Sequence, residues 1–163
     1  MAKGDLQLER IEGAYRLGYG QFLHVATAIT GDVELAADAV QDGFVRAITR
    51  RNTYRGAGEV EGWLWRIVVN AARDVSARRR DVSVDGVPEQ EEPRPAVPEI
   101  NDVRAAVASL PERQRLCLFL RYFADLDYQT IGHVLEISPG TVGATLHSAH
   151  SALRTQLEEV RSV

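Results

Sequence analysis

Apolar side chains recur every three or four residues along most of the chain, the spacing that predicts amphipathic helices. A first helix has its apolar stripe over residues 15–29 and is expected to end at Gly31. Asp32 then offers an N-cap for a second helix, whose stripe covers residues 35–48. A third helix begins at Trp63. No segment alternates convincingly with a period of two, so the predicted fold class is all-α.

Beyond a proline-rich stretch the same periodicity returns and ends in a helix-turn-helix pattern. Ser109 and Glu112 fit a capping box, in which each side chain bonds the other's backbone N–H, at the start of a long helix. Asp127 offers the cap of a short helix, and Ser138 followed by Pro139 offers the cap of the last one. The predicted helices span residues 111–124, 128–135 and 139–157, with a tight turn over 136–137.

The stretch between the two helical regions is acidic and rich in proline. Residues 83–99 contain four prolines, and residues 81–99 carry six acidic side chains against the single basic Arg94. Because proline blocks helix and like charges repel, this stretch is expected to be an extended, mobile tether. The chain is therefore predicted to form two small helical domains, 1–80 and 100–163, joined by a flexible acidic linker over 81–99, with the helix-turn-helix in the second domain.

Charge and composition narrow the class of protein. Residues 1–80 hold 12 basic and 10 acidic side chains, so the net charge of −4 comes mainly from the linker and does not argue against nucleic-acid binding by the first domain. The single cysteine, Cys117, excludes an internal disulfide and is expected to be a buried apolar side chain. No stretch is apolar enough to span a membrane and no secretion signal is recognisable, so a cytoplasmic location is expected. Without a glycine-rich phosphate loop, an activated nucleophile or a set of metal ligands, no enzyme, cofactor or metal site is expected.

Two polar clusters are candidate binding surfaces. The second helix carries a polar cluster at i, i+3 and i+4, opposite its apolar stripe: Asp38, Gln41 and Asp42. Such a cluster suits either binding to a basic partner surface or simple exposure to solvent. The third helix carries polar and cationic side chains on one face and ends in an arginine run, which is either a solvated helix end or a DNA contact. Arginine binds phosphate and stacks on unpaired bases, and asparagine can bind a base edge. These candidates are Arg66, Asn70, Arg73, Arg78, Arg79 and Arg80.

Three passages, with the linker between the second and the third, resemble the extracytoplasmic-function group of bacterial RNA polymerase sigma factors. The passages read TGDVELAADAVQDGFVRAI, YRGAGEVEGWLWRIVVNAARDVSARRR and LPERQRLCLFLRYFADLDYQTIGHVLEISPGTVGATLHSAHSALR. The resemblance implies a sigma-2 domain, then a sigma-4 domain, and a role as an alternative sigma factor that binds core RNA polymerase and directs promoter recognition and DNA opening. An anti-sigma protein or an activator is a further partner that the resemblance allows, and the free chain is expected to be a monomer.

The resemblance also assigns roles to residues. It implies that the acidic cluster of the second helix docks on the clamp helices of the polymerase β′ subunit. Tyr54 and Arg55 belong to the predicted loop 52–62, where the family captures a base extruded from the opened strand, and the third helix melts and reads the minus-ten element. The helix-turn-helix reads the minus-thirty-five element, and its implied contacts are Ser138, Gly140, Thr141, Thr145, His147 and Ser148.

Two departures from the family pattern modify these expectations. Family members carry several lysines and arginines where this chain reads GTVGATLHSAHSALR. Each missing phosphate contact removes roughly 0.9 from the salt slope of binding to duplex DNA, so a weak minus-thirty-five contact is predicted. The free N–H groups at the start of that helix, from Ser138 to Thr141, can still bind a phosphate. Gly43 is expected to interrupt the second helix.

Two other functions fit parts of the pattern. A regulatory adaptor of the same ancestry would be held by polymerase or by another protein, with little direct promoter recognition, and in vitro transcription would distinguish it. An ordinary two-domain regulator would use the helix-turn-helix as its only DNA contact. The first domain lacks the alternating strand–helix pattern common in such regulators, and a test of polymerase binding would separate the two.

Overall fold

The computed structural model describes residues 2–55, 60–83 and 98–162, and every regular element in these ranges is a helix. The first domain contains α1 (Lys3–Thr30), α2 (Val33–Thr49), a 3₁₀ turn (Arg51–Thr53) and α3 (Val60–Ser83). The second domain contains α4 (Pro98–Ser109), α5 (Glu112–Tyr122), α6 (Tyr128–Leu135) and α7 (Pro139–Arg161). The predicted all-α fold, with a helix-turn-helix in the second domain, is confirmed.

Aromatic packing holds α1, α2 and α3 around one core. Phe22 of α1 stacks on Trp65 of α3 with ring centroids 4.1 Å apart, and it meets Phe44 of α2 edge to face at 5.1 Å. All three rings are buried. Each large apolar side chain of this kind contributes about 1.5–3 kcal/mol to folding. Trp65 is thus a core residue of the first domain.

Local hydrogen bonds build the corner between α1 and α2. Gly31 adopts a left-handed conformation (φ 76°) and ends α1, as predicted. The side chain of Asp32 accepts hydrogen bonds from the N–H groups of Glu34 (2.8 Å) and Leu35 (3.0 Å), so it caps α2 as predicted. These bonds, above all the one from Leu35, favour the carboxylate and lower the pKa of Asp32. The corner thereby fixes the direction in which α2 leaves α1.

Gly43 lies where the backbones of α2 and α3 come close together. A Cβ atom at this position would lie 3.0 Å from Cγ2 and 3.1 Å from Cα of Val68. Helix α2 runs unbroken through Gly43. The expectation that this glycine interrupts the helix is therefore wrong: it is a site of close packing, where α3 leaves little room for a side chain.

In the second domain α7 packs against α4, α5 and α6. Asp127 caps α6 by accepting a hydrogen bond from the N–H of Thr130 (2.7 Å), and its hydrogen bonds with Thr130 lower its pKa. Ser138 caps α7 in the same way, and both caps agree with the sequence prediction. Cys117 is fully buried, and its burial raises the pKa of the thiol to about 11, so it is a neutral core side chain at physiological pH.

The turn of the helix-turn-helix depends on one glycine. A Cβ atom on Gly132 would lie 2.6 Å from the carbonyl oxygen of Ile137, a distance that real contacts do not reach. Between them Glu136 adopts a left-handed conformation (φ 58°), and the N–H of Ile137 donates to the carbonyl of Gly132 (2.9 Å). The chain can therefore turn this tightly only because residue 132 has no side chain.

Helix α1 differs from its prediction. It begins at Lys3, well before the predicted stripe, and its early turns bury Gln7 and Ile11. Leu17, inside the predicted apolar stripe, is 92% exposed, so the stripe is wrong at that position. The reason is that Ile11 and Phe22 of α1 point into the core, whereas Leu17 lies on the side of α1 that faces away from the core.

The start of α5 and the ends of the linker also differ. Ser109 is the last residue of α4 and donates its hydroxyl to the carbonyl of Ala106 (2.7 Å), so the predicted capping box is wrong, and α5 begins without a side-chain cap. Helices α3 and α4 reach into both ends of the predicted linker, at 81–83 and 98–99, and the rest of that prediction lies outside the described residues. The 3₁₀ turn begins at Arg51, just before the predicted loop 52–62, and α3 begins at Val60, so the predicted start at Trp63 is wrong. Helix α7 continues to Arg161.

Candidate interface for polymerase and nucleic acid

One side of α3 opens into a cleft between the two domains. Asn70, Arg73 and Arg80, which sequence spacing had placed on one face, line this interdomain cleft. Arg115 of α5 lines it from the second domain and donates to the carbonyl of Ala108 at 3.1 Å. The complete lining is Ile29, Asn70, Arg73, Asp74, Ser76, Ala77, Arg80, Glu112 and Arg115. Asn70, Arg73 and Arg80 therefore lie together on one side of α3.

The second domain closes over this face through ion pairs. The Nε of Arg73 lies 2.8 Å from Oε1 of Glu112 at the start of α5. Arg66 forms an ion pair with Glu136 in the turn of the helix-turn-helix. Both pairs are partly exposed, so each contributes about 0.2–1 kcal/mol. Arg66 and Arg73, which the sequence predicts to bind DNA, are therefore already paired with acidic residues of the second domain.

Apolar contacts accompany the ion pairs between the domains. The start of α3 packs against α6, where a Cβ on Gly62 would lie 3.2 Å from Cγ2 of Thr130. The ring of His24 in α1 lies 5.8 Å from that of Phe123, just after α5. The interface thus joins α3 to α6 and α1 to α5, which no sequence pattern had indicated.

Arg78 and Arg79 lie on another side of α3 from Arg80. They line a groove between α2 and α3, called here the α2–α3 groove, together with Asp38 and Asp42. Arg79 is half-buried, and its Nη1 donates to the carbonyl of Thr30 at the end of α1 (3.2 Å). The complete lining is Asp32, Glu34, Leu35, Asp38, Asp42, Arg46, Val75, Arg78 and Arg79. The structure therefore divides the predicted arginine run between two surfaces.

The acidic cluster of α2 lies at the edge of this groove. Asp38 lines the groove directly, whereas Asp42 pairs with Arg46 at 2.8 Å, and Arg46 also reaches Asp74 of α3 at 3.2 Å. Gln41 is exposed on the other edge of α2, in an apolar groove shared with α1. Sequence spacing did not reveal that apolar groove, which Tyr15, Phe44, Val45 and Ile48 line with Ile11, Glu12, Arg16 and Gln41.

Tyr54 lies in a shallow depression between α1 and the start of α3. Its ring centroid is 5.5 Å from that of Trp63, and Leu17 of α1 lies in the same depression. Arg55 is exposed beside it. The exposed Leu17, which sequence reasoning assigned to the core, is therefore part of this candidate site. The complete lining is Arg10, Gly13, Ala14, Leu17, Tyr54, Val60 and Glu61.

The predicted DNA contacts of α7 are uncharged, and several are already hydrogen-bonded. The hydroxyl of Ser138 accepts from the N–H of Thr141 (3.1 Å) and pairs with the hydroxyl of Thr141 (2.8 Å). Thr145 donates its hydroxyl to the carbonyl of Thr141 (2.7 Å). Gly140, His147 and Ser148 are exposed. From Pro139 to His150, α7 therefore carries no lysine or arginine to attract a phosphate backbone.

Membrane spans and metal clusters are both absent from the described part of the chain. None of the helices there combines the length and the apolarity that a membrane span needs. No group of three or more histidine, cysteine, aspartate or glutamate side chains within 2–55, 60–83 and 98–162 is arranged to hold a metal ion.

A three-helix domain followed by a helix-turn-helix domain is the layout of a sigma-70-type transcription factor, and comparison with known proteins gives the family. The sigma-70 region 2 family matches residues 15–82, and the sigma-70 region 4 family matches residues 100–153. The chain is 30% identical to the ECF RNA polymerase sigma-E factor of Escherichia coli, over 79% of this chain and 75% of that protein. The chain belongs to the extracytoplasmic-function family of RNA polymerase sigma factors.

Further relatives agree with this placement. The chain is 29% identical to RNA polymerase sigma factor YlaC of Bacillus subtilis, over 94% of this chain and 95% of that protein. It is also 29% identical to the ECF RNA polymerase sigma factor SigE of Mycolicibacterium smegmatis, over 94% of this chain and 60% of that longer protein. The sigma factor RpoE of Bartonella quintana, solved in complex with the anti-sigma factor NepR, has the same fold, with a TM-score of 0.75 at 20% identity over 92% of this chain and 98% of that one. The chain is thus an alternative sigma factor that acts in transcription initiation, with core RNA polymerase and promoter DNA as its partners.

Proposed function

We propose that the acidic cluster of α2, Asp38, Gln41 and Asp42, docks on the clamp helices of the polymerase β′ subunit, and that the cleft-facing side of α3 binds the opened minus-ten strand. The observation that carries this is the separation of two surfaces. Acidic side chains of α2 face the α2–α3 groove, whereas Asn70 and Arg73 face the interdomain cleft. A protein that holds polymerase on one side keeps the other side available for DNA.

The chemistry of the cleft-facing side suits separated strands. Arginine side chains pair with phosphates and stack on unpaired bases, and the amide of Asn70 can bind a base edge. Tyr54 and Leu17 line a depression at the start of the same helix, and an unstacked base fits best against such aromatic and apolar side chains. We assign the capture of an extruded base to this depression, with Arg55 available for the adjacent phosphate.

A second proposal concerns the minus-thirty-five element. Between Ser138 and His150 the chain has no lysine and no arginine, so α7 lacks the charge that supplies most of the affinity for duplex DNA. At the start of α7 the N–H of Thr141 already donates to the hydroxyl of Ser138 and Pro139 has no N–H, which leaves the N–H of Gly140 to bind a phosphate. We therefore propose that the second domain reads this element weakly, or with the help of a second DNA-bound protein, through Ser138, Gly140, Thr141, Thr145, His147 and Ser148.

We also propose that the chain works in the cytoplasm and adds no catalytic group to the polymerase. The one cysteine is buried and neutral, which removes the strongest nucleophile in the chain from reaction. The specific work of such a subunit is binding: it places the enzyme on the promoter and stabilises the opened strands.

Reconstitution with core polymerase tests the proposal. The double variant Asp38→Asn and Asp42→Asn should weaken binding to core polymerase, whereas Arg73→Gln should spare that binding and reduce strand opening, measured by permanganate reactivity of the promoter. The matched control is Glu158→Gln with Glu159→Gln, which removes the same two charges from the exposed end of α7. If the control and the α2 variant bind core polymerase alike, the docking assignment fails. If the wild-type holoenzyme makes no specific run-off transcript, the regulatory adaptor replaces direct promoter recognition as the proposed function.

A further inference from the structure

Three consecutive arginines at the end of α3 point in three directions. An α-helix has 3.6 residues per turn, so each residue is rotated by about 100° from the one before. Arg80 shares the interdomain cleft with Asn70 and Arg73, whereas Arg78 and Arg79 line the α2–α3 groove. The sequence presents one basic run, but the structure presents two surfaces.

Arg78 lies on the same groove as the acidic residues of α2. It is exposed, and its Nε donates to the backbone carbonyl of Asp74 at 3.4 Å. The side chain of Asp74 pairs with Arg46, which in turn pairs with Asp42. Asp42, Arg46 and Asp74 therefore form a chain of ion pairs that ends one helical turn before Arg78.

Arg79 supports the corner from which α2 begins. The last carbonyls of a helix lack intrahelical partners, and a cation near them also interacts favourably with the helix dipole. The guanidinium of Arg79 donates to the carbonyl of Thr30 (3.2 Å), one residue before the glycine that ends α1. Asp32, the cap of α2, lines the same groove. Arg79 thereby ties the end of α3 to the point where α2 starts.

We infer that Arg78 contacts core polymerase, that Arg79 positions the docking helix α2, and that only Arg80 of the run belongs to the DNA-binding face. This inference rests on the proposed docking of α2. The occupant of the groove is the polymerase surface itself, because the groove continues directly from Asp38 and Asp42. Its mixed charge fits a partner surface that carries basic side chains opposite α2 and an acidic side chain opposite Arg78.

The helix supplies a matched pair of variants for the test. Arg78→Gln and Arg80→Gln each remove one guanidinium, two residues apart, from different surfaces of α3. Two quantities are measured on the full-length chain: the affinity for core polymerase, by fluorescence anisotropy, and the salt slope with which the assembled holoenzyme binds a pre-opened promoter. Arg78→Gln should weaken core binding by about 1.4- to fivefold and leave the slope unchanged, since an exposed ion pair is worth about 0.2–1 kcal/mol. Arg80→Gln should leave core binding unchanged and lower the slope by roughly 0.7, the value for one single-strand contact.

Arg79 is tested by rescue. At a temperature well below the melting temperature, Arg79→Gln should weaken binding to core polymerase. Arg79→Lys keeps a charged donor near Thr30, so it should recover most of that affinity. Neither variant should change the salt slope by as much as Arg80→Gln does. A purely structural role would lower the melting temperature without changing core affinity in the folded protein.

The inference is overturned if Arg78→Gln lowers the salt slope as Arg80→Gln does and spares core binding. In that outcome Asp38→Asn with Asp42→Asn still reports on the docking of α2. If the α2 variant also spares core binding, the proposed function itself fails; if the α2 variant weakens core binding, only the assignment of Arg78 is wrong.

Discussion

The two helices that we propose to contact DNA, α3 and α7, differ in charge. Helix α3 presents Arg66, Arg73 and Arg80 along one side, whereas the stretch of α7 from Ser138 to His150 carries no lysine, arginine, aspartate or glutamate. Attraction to phosphate grows with the number of cations, while recognition of base edges needs few. The difference indicates that the first domain supplies most of the affinity for promoter DNA.

The largest expected effect removes the charge of α3. The triple variant Arg66→Gln, Arg73→Gln and Arg80→Gln should lower the salt slope of holoenzyme binding to a pre-opened promoter by roughly 0.7 for each phosphate that is no longer neutralised. The measurement is a salt titration of affinity, carried out at the same pH for every variant. The matched variant in α7, His147→Gln with Ser148→Ala, should leave the slope unchanged. An equal decrease of the salt slope in both variants would mean that α3 and α7 contribute equally to the electrostatic attraction of DNA.

The second effect concerns stability rather than charge, and it compares two glycines of the helix-turn-helix. Gly132→Ala should destabilise the chain by about 1–3 kcal/mol, because the new Cβ would meet the carbonyl oxygen of Ile137 at 2.6 Å. Gly140→Ala is the control, since its Cβ would meet nothing closer than the hydroxyl of Ser138 at 3.9 Å. Urea unfolding gives both free energies. Equal stabilities for the two variants would show that the turn can relax around a side chain.

The caps and the helical periods were predictable because they depend on residues close together in sequence. Asp32, Asp127 and Ser138 each cap the helix that the pattern predicted. The capping box at Ser109 was not correct, because α4 ends there and uses the hydroxyl for its own last turn. A local motif fails where an unpredicted neighbouring element competes for the same side chain.

The division of the arginines needed the packed structure. Spacing correctly grouped Asn70, Arg73 and Arg80, which share a cleft, but it could not show that Arg79 reaches the end of α1. That hydrogen bond depends on how α3 is placed in the three-helix core, which close packing at Gly43 helps to set. The pairing of Arg66 with Glu136 depends in turn on how the two domains meet. No single-helix pattern carries this information.

The third effect concerns the cap of α6. Asp127→Ala should cost about 0.5–2 kcal/mol, and Asp127→Asn, which still accepts from the N–H of Thr130, should cost less. The same hydrogen bond lowers the folded-state pKa of Asp127 below its ordinary value of 3.8. Its contribution is therefore present above about pH 4 and disappears as the pH falls through the lowered pKa.

Unfolding free energies of wild type and Asp127→Asn at about pH 7 and about pH 3 check that dependence. The difference between the two proteins should shrink at the acidic pH, because the carboxylate of the wild type is then increasingly protonated. If the difference grows instead, the carboxylate does not act through its ionised form.

The smallest effect tests the interface between the two domains themselves. Glu112 forms an ion pair with Arg73, and Glu136 forms one with Arg66, so two arginines that the sequence predicts to bind DNA are already paired with the second domain. Glu112→Gln with Glu136→Gln removes both ion pairs, each worth about 0.2–1 kcal/mol, and should open the interface by about two- to thirtyfold if the pairs add. The free chain should then bind single-stranded promoter DNA more tightly, and the distance between dyes on the two domains should increase.

The direction of the salt effect separates this explanation from a simple change of net charge. Removing two acidic groups anywhere raises the general attraction to DNA, so the control is Glu158→Gln with Glu159→Gln, near the end of α7. If release of the arginines is the cause, only the Glu112 and Glu136 variant changes the distance between the domains, and that change fades as salt screens the wild-type ion pairs. Equal increases in DNA affinity from both double variants, with no change in distance, would mean that the acidic residues do not hold α3 closed.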